Sequence, residues 1–306
     1  MEDYIKQRDK VLDYIDENLS KDLTLDELSA ISCYSKYHFS RIFSNMMGET
    51  VFQYIHRLRL EKAAERVGME EDISITSIAY DLGFTNCAGF SKSFKKHFGL
   101  SPSKWRKEKR EQKINLQENA KDGKAQRHLF LNDKEIVWQY KVKDKVDVEV
   151  RIMSLKELPV VYIRHIGTSL GNNERFEFSY ESLLQWAAPR GLIDSDKCGI
   201  YGIYHDNPLF TASSNLRISA AIEADCGTEV SGEVGKMVLC GGIYAVAAFE
   251  FESKEEYSSV FNFLYNSWLR QLSYKSDTSR YGYICFLNSP GEPVQQVKVN
   301  MPIKFL

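Results

Sequence analysis

The sequence is short of the features that mark secretion, membrane insertion and metal binding. It has 6 cysteines in 306 residues, with no CxxC pair and no metal-ligand spacing, so neither a disulfide framework nor a metal site is expected. The thiols Cys33, Cys87, Cys198, Cys226, Cys240 and Cys285 are expected reduced and packed as small hydrophobes. No apolar run reaches the ~18–20 residues of a membrane span. The opening MEDYIKQRDK carries mixed charge where a signal peptide would be basic and then apolar, which points to a cytoplasmic chain with no membrane partner. A net charge of −2 gives no whole-chain attraction for polyanions. No Ser/His/Asp or Cys/His set stands out, and His205-Asp206 is common turn chemistry, so no catalytic residues and no cofactor are expected.

A composition of 43% hydrophobic and 27% charged residues is that of a foldable globular chain, long enough for two domains. Charge is uneven along it. Acids crowd the first turns at Asp3, Asp9, Asp13, Asp16 and Glu17, whereas Lys92, Lys95, Lys96, Lys104, Arg106, Lys107, Lys109 and Arg110 form a basic stretch. Such a face suits phosphates, although a solvated helix surface looks the same.

The N-terminal third repeats itself. LTLDELSAISCYSKYHFSRIFSNMMGETVFQYI laid over ISITSIAYDLGFTNCAGFSKSFKKHFGLSPSKW pairs Leu25 with Ile75, Leu28 with Ile78 and Tyr34 with Phe84. One residue later, Phe39 pairs with Phe90, Phe43 with Phe94, Gly48 with Gly99 and Tyr54 with Trp105, a period of about fifty residues. Each copy reads as helix, tight turn, helix and terminal glycine, the helix-turn-helix pattern. Thr24 and Glu27 suggest a capping box, with Leu23 and Leu28 as its hydrophobic staple. Ser101-Pro102 would start a final helix through Trp105. Between the copies, VFQYIHRLRLEKAAERV has no proline or glycine and predicts one helix of ~24 Å, a strut that sets two recognition helices near the ~34 Å spacing of successive major grooves. An N-terminal amphipathic segment would add Ile5, Val11, Leu12, Ile15 and Leu19 to this core.

Residues about 5–110 resemble the DNA-binding domain of AraC/XylS-type regulators, in CYSKYHFSRIF, YIHRLRLEKA and IAYDLGFTNCAGFSKSFKKHFGLSPSKWR. With Phe39, Ile42 and Phe43 inward, the first recognition helix presents Lys36, Tyr37, Ser40 and Arg41. The resemblance implies base contacts from Tyr37, Ser40 and Arg41, and a guanidinium can bond guanine O6 and N7 together. In the second copy, Phe90 and Phe94 are inward, leaving Asn86, Cys87, Ala88, Ser91, Lys92 and Lys95 available. The family's usual polar readers are replaced there by Cys87 and Ala88. Ala88 can touch only a thymine methyl, so phosphate contact through Lys92, Lys95 and Lys96 is expected to dominate this half. His38, His56 and His97 are expected at the groove edge or in packing.

After residues 111–146, expected as a polar tether or partly helical connector, the pattern changes to alternating strands: VEVRIM, VVYIRHIG, GIYGIYH, LRISAAIEA, KMVLCGGIYAVAAFEF, YGYICFLN and VKVNMPIKF. Helical stretches fall near Phe178–Pro189 and Lys254–Leu272. The chain thus divides into an all-α double helix-turn-helix domain (1–110), a linker, and an α+β domain (147–306). Trp186 precedes Pro208 by the separation at which Trp268 precedes Pro290, so this domain reads as duplicated strand-helix-strand-strand halves, with a groove where they meet. Trp186, Tyr201, Tyr204, Tyr244, Phe249, Trp268, Tyr283 and Phe286 are candidates to line it, although each is also suited to the core.

This half resembles GyrI-like effector-binding domains, in YGIYHDNP, GGIYAVAAFEF, YNSWLRQL and FLNSP, and the fusion order resembles that of right-origin-binding regulators. The resemblance implies a sensor of drugs or metabolites. Cation-binding members place a buried glutamate two residues before the aromatic of this last segment; here Ile284 stands there, which favours a neutral or anionic ligand or none. Glu223 or Glu250 would be substitutes. Three functions follow: an effector-responsive regulator contacting DNA and RNA polymerase, an effector-independent regulator whose C-terminal domain is a protein-docking surface, or a hydrolase fusion.

Overall fold

The computed structural model describes residues 2–121, 128–132, 135–143, 145–167, 173–193, 199–269, 274–290 and 292–305. Chain contacts divide it into two compact units, Met1–Gln112 and Lys113–Leu306. No described helix is long and apolar enough to cross a membrane.

The first unit is helical: α1 (Glu2–Glu17), α2 (Leu25–Ile31), α3 (Lys36–Met47), α4 (Val51–Met69), α5 (Ile75–Asp81), α6 (Cys87–Phe98) and α7 (Pro102–Lys121). Thr24, Ser35, Thr50, Ser74 and Asn86 each accept a first-turn amide with the side chain, giving α2 to α6 sharp starts. Gly48 and Gly99 end α3 and α6 in left-handed conformations. The full capping box lies at Thr50 and Gln53 of α4, not at Thr24. Thr24 does accept from the Glu27 amide at 3.2 Å, but the Glu27 carboxylate is taken by the Tyr14 hydroxyl in α1, a tertiary partner that outcompetes the local one.

Packing follows the apolar periods. Val11, Leu12, Ile15 and Leu19 are buried, Ile5 only partly. Phe39 and Phe43 reach Tyr54, and Phe90 and Phe94 lead to Phe98 and Trp105, in two runs of tilted and edge-on rings that reproduce the sequence repeat. The strut α4 runs 19 residues, about 28 Å, and buries Ile55, Leu58, Leu60, Ala63, Ala64 and Val67. The Trp105 indole donates to the Ala64 carbonyl at 3.0 Å, seating α7 on it.

One side chain joins both copies to the strut. Arg59 of α4 donates to the carbonyls of Leu19 (2.9 Å) and Lys21 (2.6 Å) after α1 and of Gly83 (3.0 Å) in the α5–α6 turn. Gly83 has φ +79, and a Cβ there would stand 2.8 Å from the Ser20 carbonyl and 2.9 Å from the Arg59 guanidinium.

The second unit contains β1 (His128–Asn132), β2 (Glu135–Val142), β3 (Val146–Leu155), β4 (Leu158–Ile166), α8 (Asn173–Ala187), β5 (Ile200–Tyr204), β6 (Arg217–Glu223), β7 (Gly235–Leu239), β8 (Gly242–Phe251), α9 (Lys254–Phe263), β9 (Tyr274–Ser276), β10 (Gly282–Phe286) and β11 (Gln295–Phe305). Strands run β1-β2-β3-β8-β11-β10-β5-β6-β4-β7, all pairings antiparallel, with β9 on the far end of β11. The halves β4-α8-β5-β6 and β8-α9-β10-β11 are therefore copies, joined edge to edge at β5 and β10.

Three expectations need correction. Part of 111–146 is neither tether nor helix: after the helical part, where α7 continues to Lys121, β1 and β2 form a hairpin on β3, placing Trp138 5.7 Å from Trp268 and Tyr140 4.9 Å from Phe263. The run KMVLCGGIYAVAAFEF is two strands, because Gly242 at φ +130 breaks it and sends β7 to β4 and β8 to β3 and β11. The cysteines are not packed as core: Cys33, Cys226 and Cys240 are exposed between elements, Cys87 is half-buried at the start of α6 and Cys285 half-buried within β10. Cys198 lies outside the described residues.

Gly83→Ala should destabilise the protein by roughly 2–4 kcal/mol, since it adds left-handed strain to a backbone clash and displaces Arg59. Chemical denaturation checks this, and an unchanged midpoint would show that the clamp is dispensable.

Candidate nucleic-acid interface and effector groove

Helix α3 turns Phe39 and Phe43 inward and leaves Tyr37 79% exposed, with Lys36 and Arg41 also in solvent and Ser40 half-buried. Two of these have neighbours that the repeat did not foretell. Lys36 pairs with Asp26 of α2. Arg41 Nη2 lies 3.4 Å from His38 Nδ1, and the His38 ring packs edge-on against Tyr34, which lies against Tyr4 of α1. Sequence reasoning missed this aromatic cluster because its members come from α1, the turn and α3, which share no period.

Helix α6 repeats the arrangement. Phe90 and Phe94 are fully buried, Ser91 is half-buried, and Ala88, Lys92, Lys95 and Lys96 are exposed on one helix. Asn86 has a structural role beside its expected one: its carboxamide oxygen accepts the Gly89 amide at 2.6 Å as the helix cap. An asparagine immediately before the first helical residue was the available signal. Cys87 begins the helix, its sulfur 3.5 Å from the Thr76 hydroxyl. His56 and His97 both have pKa values lowered by burial, with added repulsion from Arg59 and Arg57 respectively.

In the second unit the strand register sorts the candidate groove residues by face. Directly paired residues share a side, so Gly202, Tyr204, Ile284, Phe286 and Phe249 look toward α8 and α9, while Tyr201, Tyr283 and Tyr244 look away. Side-chain contacts agree: Phe286 lies 5.1 Å from Phe176 of α8, and Tyr204 lies 5.9 Å from Phe261 of α9 with its hydroxyl 3.1 Å from that of Tyr257. Burial pushes the Tyr204 phenol up to about 12 and Tyr257 well above its ordinary value, so this pair is a neutral donor and acceptor. Gly202 and Gly282 add no side chain to this face, and at Gly202 the Phe176 ring packs over the strand, 3.3 Å from where a Cβ would stand. Neither seam strand, IYGIY or GYICF, contains an acid.

The opposite face carries Tyr162, Tyr244 and Tyr283 in a cluster drawn from both halves. Trp186 and Trp268 belong to neither face's centre. Trp186 lies at the end of α8 under the Arg190 guanidinium, and Trp268 is sealed against Trp138. The eight candidates thus fall into separate places, because an aromatic count ignores the alternation that sends Tyr283 and Ile284 to opposite sides. Glu250 lies at the end of β8, exposed, away from the seam, and Glu223 is exposed at the end of β6. Two Ser–His contacts do form, Ser179 with His165 and Ser219 with His205, but both serines are sealed from solvent.

Comparison with known proteins matches residues 28–108 to a helix-turn-helix domain and residues 148–304 to a GyrI-like small molecule binding domain. Probable transcription factor PqrA of Proteus vulgaris is 37% identical over 31% of this chain and 80% of its own. The chain belongs to the AraC/XylS family. Multiple antibiotic resistance protein MarA of Escherichia coli is 32% identical over 31% of the chain and 75% of its own. The DNA-binding domain of AdpA, solved with a target DNA, is 23% identical over 36% of the chain and 97% of its own, with a TM-score of 0.34. This AraC/XylS-type regulator is therefore a DNA-binding transcription regulator carrying a GyrI-like domain, the second match accounting for just over half its length.

In the regulator's GyrI-like domain, the tyrosine face is pinned by Arg280. Its guanidinium lies over the Tyr244 ring at 4.8 Å and donates to the carbonyls of Gly241 (3.2 Å), Ile243 (3.0 Å) and Ile303 (2.9 Å). Asp277 anchors it at 2.8 Å. Burial alone would raise the Asp277 carboxyl, but hydrogen bonds from Ser279 and Arg280 and the charge of Lys304 outweigh it and hold the pKa at about 2. A carboxyl depressed on folding stabilises above its unfolded pKa and loses that effect as pH falls through the folded one. Asp277→Asn should therefore lower the Tm near neutral pH, and the gap to wild type should shrink between about pH 4 and pH 2. A gap independent of pH would contradict the ionic role.

Proposed function

We propose that the chain reads one duplex with both recognition helices, α3 and α6, in successive major grooves, and that a small molecule at the seam of the GyrI-like domain modulates it. The observation that carries the DNA half is the pair of capped helix-turn-helix copies fastened to the single strut α4, each with its apolar ridge buried and its polar face exposed. In this reading Arg41, with Tyr37 and Ser40, reads bases, and Lys36 contributes charge near them. Lys92, Lys95 and Lys96 grip phosphates while Ala88 and Ser91 approach the groove. Asn86 shapes the start of α6 and contacts DNA only secondarily.

The effector reading rests on the seam. Tyr204, Ile284 and Phe286 offer an apolar surface with one neutral hydroxyl pair, and no carboxylate lies on the two seam strands. Desolvating a cation there would be uncompensated, which favours a neutral ligand, or an anion bound at its edge. Tyr244 and Tyr283 shape the reverse side, with Phe249, Trp186 and Trp268 supporting the walls. RNA polymerase is the protein partner in this reading, and the resistance role in the name of MarA makes genes of drug or stress response the expected targets. The proposed organisation is a DNA-binding domain over 1–110 and an effector domain over 147–306, with the β1–β2 hairpin extending the latter upstream.

Lys92→Ala should weaken binding on every sequence and reduce the salt-dependence slope by about 1, whereas Arg41→Ala should cost ~1–3 kcal/mol and relax preference at one base pair. Binding titrations on operator and scrambled duplexes at several salt concentrations separate the two, and a base-specific loss from Lys92→Ala would reverse the assignment. For the seam, thermal unfolding of the full chain with neutral, anionic and cationic amphiphiles should give a shift for neutral or anionic compounds that Ile284→Glu transfers to cations. Stabilisation by cations alone in the wild type would refute it.

A further inference from the structure

A cleft of about 560 Å³ opens at one end of the sheet, where the first residues of β3 and β11 meet the last of β8. It is separate from the seam residues Tyr204 and Ile284. Val146, Ala248, Phe251 and Val297 are its apolar lining. Its apolar rim is in solvent, with Leu287 51% and Val294 38% exposed. Uncovered aliphatic side chains beside a concave apolar floor are a feature of surfaces that are covered by a partner.

The charge around this cleft is one-sided. Among the described residues, Asp147, Glu250, Glu252 and Glu256 line it against one cation, Lys145. The contacts of two of these acids orient them without neutralising them: Glu250 accepts from the Gln296 amide at 2.9 Å, and Glu256 accepts from the Glu252 backbone N–H at 2.9 Å. Asp147 lies 3.7 Å from Lys141, an exposed pair of small energetic weight. A phosphate backbone would be repelled here, so nucleic acid is excluded as the occupant. Carboxylates spread over the start of β3, the end of β8 with the turn after it, and the first turn of α9 match several cations on one extended chain better than a single compact ion.

We propose that this acid-rimmed cleft is the docking site for a short basic and aliphatic peptide segment of a partner protein, its lysines or arginines on the rim and its aliphatic side chains on the floor. The site would let the GyrI-like domain recruit a protein whether or not an effector occupies the seam, and it is independent of the seam assignment.

The test uses the full chain and a fluorescein-labelled pentapeptide of alternating lysine and leucine, followed by anisotropy. Binding should saturate and should weaken about tenfold or more in E250Q/E252Q and in Leu287→Ser. It should be unchanged in D225N/E229Q, which removes the same charge elsewhere on the surface. Melting curves matching wild type keep misfolding out of the comparison, and glutamine retains the Glu250 contact to Gln296. Unchanged affinity in both cleft variants would overturn the proposal. So would equal weakening in D225N/E229Q, or equal binding of a lysine-serine pentapeptide, either of which would mean charge attraction alone. Displacement of the peptide by equimolar tetraethylammonium would assign the cleft to small cations instead and equally refute it.

Discussion

The helical unit depends on one guanidinium aimed at three backbone carbonyls that come from two separate stretches of chain. A buried carbonyl at a helix end must be satisfied, and a charged donor satisfies it more strongly than a neutral one. Arg59 does this for Leu19, Lys21 and Gly83 together, so the exit of α1 and the turn of the second helix-turn-helix are fixed to the same point of α4. A lysine, with a single nitrogen, could not span them. The GyrI-like unit solves an equivalent problem with Arg280, which ties the start of β8 to the end of β11 while Gly242 yields room for it: a Cβ there would stand 2.5 Å from the guanidinium.

With the clamp in place, the strut α4 sets both recognition helices from one rigid element. Each copy contributes its own aromatic run, and the glycine ends of α3 and α6 fix where the following chain departs. The two exposed faces differ in chemistry. One offers a tyrosine and an arginine of bidentate capacity, the other an alanine and three lysines, so the proposed division between base reading and phosphate gripping follows from side-chain type rather than from backbone shape.

Much of this was legible in the sequence, and the limits have identifiable causes. The repeat, the strut, the glycine ends and the duplicated halves all rest on local periodicity, which the structure preserves from Leu25 to Trp105 and from β4 to β11. Long-range partners were invisible. Glu27 left its capping box for Tyr14, and the β1–β2 hairpin was obscured by the polar stretch preceding it, although IVWQYKV alternates as a strand should. The groove list failed on parity: adjacent Tyr283 and Ile284 cannot share a face, and only the pairing of β5 with β10 shows which residues join Tyr204. Asn86, expected at the DNA face, also caps α6, a role its place just before the helix marks. The acidic cleft gathers residues from three strand ends, a juxtaposition that no single segment records.

The claim at the centre is that one chain holds both reading helices. Analytical ultracentrifugation of the full chain on an operator duplex, combined with hydroxyl-radical footprinting, tests it directly. One chain per duplex is expected, with protection on one face in two patches about 10 base pairs apart. Two chains per duplex with one protected groove for each would contradict it.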